Sequence, residues 1–300
     1  MKRGKWKTKN EEYFIILNKL SDGAILERVD FEKPNNQDDA IPHTSVIYRL
    51  EELESKHFVL KLKSNRRSYP GKLIPRYKIT LEGFIELFRL PKPNDQINLI
   101  SKIGKFIPPL ASEFYYLKEV CTYEQLLEIF SSVCTNITIG RTEFHKKDLK
   151  NKNSVIGVPG SLLLENIESV KRYEIHVKIP IQGTDFIIRE ELFLHRRKRK
   201  RDYSQSLKPD LVIRKLIIFA FFHELLQRIN QPNFERKTTR RFAETWVFET
   251  IRSNKIFNFI FSKNLERLER AFSNEVNQMR EVRSIISQKK PLFVKKKSHS

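Results

Sequence analysis

Between residues 43 and 90 the apolar side chains change their spacing, and each change dictates an element. Val46, Leu50 and Leu53 recur at i, i+4 and i+7 with Ile47 beside them, which is one face of an α-helix of about four turns. From Phe58 the chain turns to an extended run, Phe-Val-Leu-Lys-Leu-Lys, ending at Lys63. A polar tip runs from Ser64 to Gly71, and then a second extended run from Leu73 to Ile79. Strand, turn-rich tip and strand predict a β-hairpin, and Pro75 in the second run fits an edge position. Thr80 then stands as the N-cap of a further helix with Phe84, Leu87 and Phe88 on its apolar face, ending at Leu90-Pro91. A helical stripe cannot be satisfied in a sheet, nor an alternating one in a helix, so spacing alone gives the order helix, hairpin, helix.

The chain before this stretch reads as helical. Phe14, Leu17 and Leu20 recur at helical spacing with Ile16 beside them over residues 10–21, and Asp22-Gly23 ends the run. Ala24 to Phe31 reads as a second short helix, and Glu32 to Ala40 as a polar loop. Pro42 keeps the incoming chain extended, and His43 or Thr44 caps the next helix.

Pro91-Lys92-Pro93-Asn94-Asp95 reads as a linker, which divides the chain into domains 1–91 and 92–300. Helices are predicted over 95–107, 112–120 and 122–134, with a polar joint from Lys146 to Asn153. Residues 171–181 and 185–194 read as a hairpin around Gln182-Gly183-Thr184, with Tyr173, Ile175, Val177 and Ile179 on one face. Beyond it lie three helical stretches, over about 209–230, 238–252 and 255–287. In the last, Leu265, Leu268, Phe272, Val276, Met279, Val282 and Ile286 form a stripe that suits either a homodimer seam or packing on its own domain. The expected fold class is α+β and mostly helical, with the C-terminal domain containing one small hairpin.

Three segments of the first ninety residues resemble prokaryotic, archaeal-type winged helix-turn-helix transcriptional regulators. Ile41-Pro42-His43-Thr44-Ser45-Val46-Ile47-Tyr48-Arg49-Leu50-Glu51-Glu52-Leu53-Glu54 is similar to their recognition helix. Lys56-His57-Phe58-Val59 resembles the exit into the wing, where a glycine often stands in place of His57. Tyr77-Lys78-Ile79-Thr80-Leu81-Glu82-Gly83 is similar to the return strand and the start of the closing helix. The resemblance covers residues 10–90. It departs from the family in the long polar segment before the recognition helix and in the acidic trio Glu51, Glu52 and Glu54, which lies on the far turns of that helix.

The resemblance implies a recognition helix over 43–57, a basic wing over 58–79, and a transcription regulator acting on double-stranded DNA. The helix pattern places Thr44, Ser45, Tyr48 and Arg49 opposite the core stripe, near the helix start that enters a major groove. Arg49 has the fork geometry for a guanine edge, and Thr44 and Ser45 have hydroxyls for phosphate or base. The hairpin contributes Lys61, Lys63, Arg66, Arg67, Lys72, Arg76 and Lys78, and no acid falls between residues 61 and 78.

Net charge agrees with a polyanionic partner. The sequence holds 57 Lys and Arg against 36 Asp and Glu, a formal charge of +21, which raises affinity for nucleic acid through counterion release. A run of six basic residues, Arg196, Arg197, Lys198, Arg199, Lys200 and Arg201, reads as a solvated loop able to assist phosphate binding. Cys121 and Cys134 are too few for a metal or disulfide framework, and the expected compartment is a reducing cytoplasm, with the protein on the nucleoid. Neither a cleavable leader nor a membrane span is expected, because the apolar run Leu216 to Phe222 is short and flanked by charge.

Two segments touch on enzyme chemistry. His223-Glu224-Leu225-Leu226 starts like a zinc-protease helix, but Gln227 stands where the second histidine belongs. Pro209-Asp210-Leu211-Val212-Ile213 is similar to the first half of a metal-dependent nuclease core, without the acid-x-Lys strand that completes one. The sequence thus expects no cofactor and no catalytic residue. A nucleic-acid-processing enzyme, or a winged helix turned to RNA or protein contact, are the alternatives to the regulator.

Overall fold

The computed structural model describes residues 7–32, 41–63, 73–90, 98–145, 167–181, 184–197 and 209–243. The described residues are mixed helix and strand with two small antiparallel sheets, an α+β arrangement. The chain divides into two compact units, residues 1–118 with 126–135, and residues 119–125 with 136–300.

In the first unit, α1 (Lys9–Ser21) opens with a capping box. Thr8 Oγ1 accepts from the Glu11 amide and the Glu11 carboxylate accepts from the Thr8 amide, which satisfies two backbone donors of the helix start. Residues 24–31 do not form the expected helix. They give strand β1 (Leu26–Glu27) and the short helix α2 (Val29–Glu32), because Leu26 and Glu27 pair with Tyr77 and Arg76 of a distant strand. That long-range pairing outweighs local propensity. Helix α3 (His43–Ser55) buries Val46, Leu50 and Leu53, the stripe read from spacing. Its N-cap is Pro42, in extended conformation and without a side-chain acceptor, rather than His43 or Thr44.

The C-terminal end of α3 aims the chain into the ribbon. The His57 amide donates to the Glu54 carbonyl at 2.9 Å and the Phe58 amide to the Leu53 carbonyl at 2.8 Å, with His57 at φ 61°. This is a left-handed C-terminal cap in which a histidine occupies the glycine position. It leads into β2 (Val59–Leu62), which pairs antiparallel with β3 (Arg76–Ile79) in the register Val59 to Ile79 and Leu62 to Arg76. The sheet order is β1-β3-β2.

Helix α4 (Leu81–Arg89) is capped by Thr80, whose hydroxyl accepts from the Gly83 amide at 3.0 Å and donates to the His57 carbonyl at 2.7 Å. The first turn of α4 lies so close to Phe58 that a Cβ on Gly83 would stand 2.0 Å from the Phe58 carbonyl oxygen.

The aromatic core of this unit runs past the expected linker. Phe84 of α4 stacks on Phe106 of α5 (Leu99–Phe106) with ring centroids 4.3 Å apart, and Phe88 meets Phe130 of α7 (Tyr123–Thr135) edge-on at 4.7 Å. Together with α6 (Pro108–Leu117), these helices complete the core that α1, α3 and α4 leave open. The division between units therefore falls later than residue 91.

Lys102 of α5 is nearly buried and donates to the Asn18 carbonyl at 3.0 Å, to Asn18 Oδ1 at 2.7 Å and to the Ser21 hydroxyl, capping the C-terminal end of α1 with a cation. Burial pulls its ammonium below the usual lysine range, and Asp22, 3.2 Å away, opposes that.

In the second unit the expected hairpin is a three-stranded sheet, ordered β4-β5-β6, of β4 (Ile137–His145), β5 (Ile167–Ile181) and β6 (Thr184–Arg197). Ile137, Ile175, Val177, Ile179 and Ile188 are buried, and α8 (Pro209–Ile229) packs on β5. The strand β4 was not legible, because Gly140, Arg141 and Glu143 interrupt its alternation.

The nuclease-like segment 209–213 lies on α8, with Asp210 exposed in the first turn, so its apolar residues are helix rather than strand. His223 and Glu224 are buried along the same helix, and burial pulls His223 down to about 4. Among the described residues no helix is long and apolar enough to cross a membrane. The expected helix over 255–287 and most of that over 238–252 lie outside the described residues, as do the polar joint 146–153 and Pro91 to Asp95.

Candidate nucleic-acid interface

The first turn of α3, His43-Thr44-Ser45-Val46, contains no acid. Thr44 is exposed, Ser45 is half-buried beside it, and Tyr48 one turn later is 68% exposed. His43 lies at the very start, with Nδ1 2.8 Å from Glu32 Oε1, and Arg28 Nε lies 3.0 Å from the same carboxylate oxygen as an ion pair. His43, Thr44, Ser45 and Tyr48 share the outer, N-terminal part of the helix.

Arg49 does not lie open beside them. Its Nε donates to Glu12 Oε2 at 2.7 Å, its Nη1 lies 3.5 Å from Glu52 Oε2, and its guanidinium sits over the Tyr13 ring at 5.9 Å. Glu12 is 5% exposed, so Arg49 neutralises a carboxylate that the fold has removed from water. The expectation that Arg49 is free to fork onto a base is thus corrected: the residue is half-buried and binds α3 to α1.

Lys9 and Lys56 join this cluster at 5.5 and 5.2 Å from the Tyr13 ring centroid. Lys9 donates to Glu52, and with the Tyr13 hydroxyl it holds the Glu52 carboxyl down at about 2. Burial and then Glu52 push the Tyr13 phenol well above its ordinary range. The acidic trio on the far turns is thereby explained in part: Glu52 serves the clamp, Glu54 lies 3.8 Å from Lys61, and Glu51 is exposed.

On the β2–β3 ribbon, Lys61, Lys63 and Lys78 are exposed and Arg76 is half-buried. Lys78 stands opposite Leu60, and Arg76 opposite Leu62 on one side and Glu27 on the other, so strand alternation puts Leu60, Leu62, Arg76 and Lys78 on the outer face. Lys61 points the other way, toward Glu54. Arg66, Arg67 and Lys72 lie outside the described residues.

The second basic segment is less open than a solvated loop. Arg196 and Arg197 end strand β6, and Arg196 Nη2 lies 3.0 Å from Glu168 Oε2 of β5 as an ion pair. Lys198, Arg199, Lys200 and Arg201 lie outside the described residues.

Sequence reasoning missed Glu12, Tyr13 and Glu32 as partners of α3. Both Glu11 and Glu12 suit an acidic first turn of α1, and nothing in their order tells which one turns inward. Comparison with known proteins returned no match to a family model, to a curated protein or to a solved structure.

Proposed function

We propose that residues 7–90 form a winged helix-turn-helix that docks on double-stranded DNA, and that the chain is a DNA-binding regulator of transcription. The observation that carries this reading is one juxtaposition. An acid-free helix start bearing Thr44, Ser45 and Tyr48 belongs to the same unit as a ribbon bearing exposed Lys63 and Lys78. The element order α1, β1, α2, α3, β2, β3, α4, with β1 against β3, supports this reading. The helix start suits the major groove, and the ribbon suits the phosphate backbone beside it.

The test is a salt titration of binding to a labelled random-sequence duplex. Wild-type affinity falls steeply between roughly 50 and 200 mM salt, by about a hundredfold or more for a handful of phosphate contacts. The double charge reversal Lys63→Glu with Lys78→Glu weakens binding to every duplex and makes the salt slope shallower by about two. An unchanged slope and affinity in that variant, or tighter binding to structured RNA than to duplex DNA, overturns the reading.

A further inference from the structure

We infer that α3 discriminates bases with hydroxyls and one aromatic ring instead of an arginine, with Tyr48 against a thymine methyl group as its specificity determinant. The inference rests on the DNA-docking reading above and concerns only which side chain discriminates.

Between His43 and Ser55 the sequence offers one side chain able to fork onto guanine, and that is Arg49. Arg49 is committed to Glu12 at 2.7 Å and lies beside Glu52. Reaching outward would abandon a carboxylate that is 5% exposed, leaving a buried charge without its partner. His43, the other nitrogen donor at this helix start, lies against Glu32.

The side chain that does reach outward is Tyr48. At 68% it is the most exposed large apolar residue among those described. Thr44 and Ser45 stand four and three residues before it, so the three form one strip along the outer face. Glu51, three residues further on, continues the strip with a negative charge, which confines a duplex to the first two turns.

The chemistry of this strip selects among bases in one direction. The hydroxyls of Thr44 and Ser45 donate and accept, so they tolerate any base edge or a phosphate. An aromatic ring has one apolar partner in the major groove, the C5-methyl of thymine. Sites bound by this helix are therefore marked by thymine, with no guanine required.

The experiment enriches a pool of randomised duplexes on the full chain and measures affinity for the enriched duplex, with thymine and with deoxyuridine at its selected positions. Deoxyuridine lacks only the methyl group. Wild-type affinity drops about fourfold on that replacement, the worth of one buried methyl. Tyr48→Ala binds both duplexes equally, Tyr48→Phe keeps the preference, and Arg49→Gln enriches the same motif. Tyr48 is exposed, so its variants test the inference even where Arg49→Gln impairs folding. A guanine-based motif lost in Arg49→Gln, an absence of any motif, or indifference of the wild type to deoxyuridine overturns this inference and leaves duplex docking standing. Failure to bind any duplex at low salt overturns the docking reading and this inference with it.

Discussion

Arg49 of α3 donates from Nε to the nearly buried carboxylate of Glu12 on α1, at 2.7 Å. This bond ties the helix carrying Thr44, Ser45 and Tyr48 to α1. Arg49→Ala leaves Glu12 buried with no counter-charge, and the expected cost is about 3 kcal/mol. Glu12→Gln costs less, because its amide keeps an acceptor for the guanidinium. A denaturant titration of the two single variants and the double variant measures the coupling. Additive losses would mean that the two side chains do not act as a pair.

His57 holds φ 61° as the left-handed residue after α3. A side chain there carries a steric cost that glycine does not, partly offset by the greater freedom of glycine in the unfolded chain. His57→Gly is expected to raise stability by about 0.5–1 kcal/mol. A lower midpoint in urea with an unchanged slope would contradict this.

Gly83→Ala has the opposite sign. Its Cβ would lie 2.0 Å from the Phe58 carbonyl oxygen and 2.9 Å from Ile79 Cγ1, so α4 must shift away from the strand start. The expected loss is about 3 kcal/mol or more, read from the melting temperature. An alanine variant as stable as the wild type would show that α4 does not press on Phe58.

Two of the described groups make stability depend on acid in separate windows. Burial holds His223 at about 4, below its ordinary 6.5. The unfolded chain then binds the extra proton first, so the contribution of His223 is present above pH 6.5 and is lost as the pH falls toward 4. His223→Leu is expected to flatten stability across that window, by up to about 3 kcal/mol. Glu52, held at about 2 chiefly by Lys9, acts lower: its contribution is present above the ordinary 4.5 and is lost as the pH falls toward 2. Denaturant midpoints from about pH 7 to about pH 3 separate the two. A His223→Leu profile parallel to that of the wild type between pH 6.5 and 4 would remove the first assignment.

The sequence by itself determined the elements whose reasons are local. The stripe Val46, Leu50, Leu53 specified α3, the alternation on either side of the polar tip specified the ribbon, and Thr80 marked the start of α4. Period and capping act over a few residues, so they are written in order along the chain. Tertiary structure alone decided the rest. It made β1 a strand by pairing Leu26 and Glu27 with Tyr77 and Arg76, far along the chain. It extended the first core to Phe106 and Phe130 through ring packing that no linker composition reports. It also turned Arg49 inward to Glu12 and left Tyr48 in solvent, because which of two adjacent polar residues faces a neighbouring helix depends on where that helix lies.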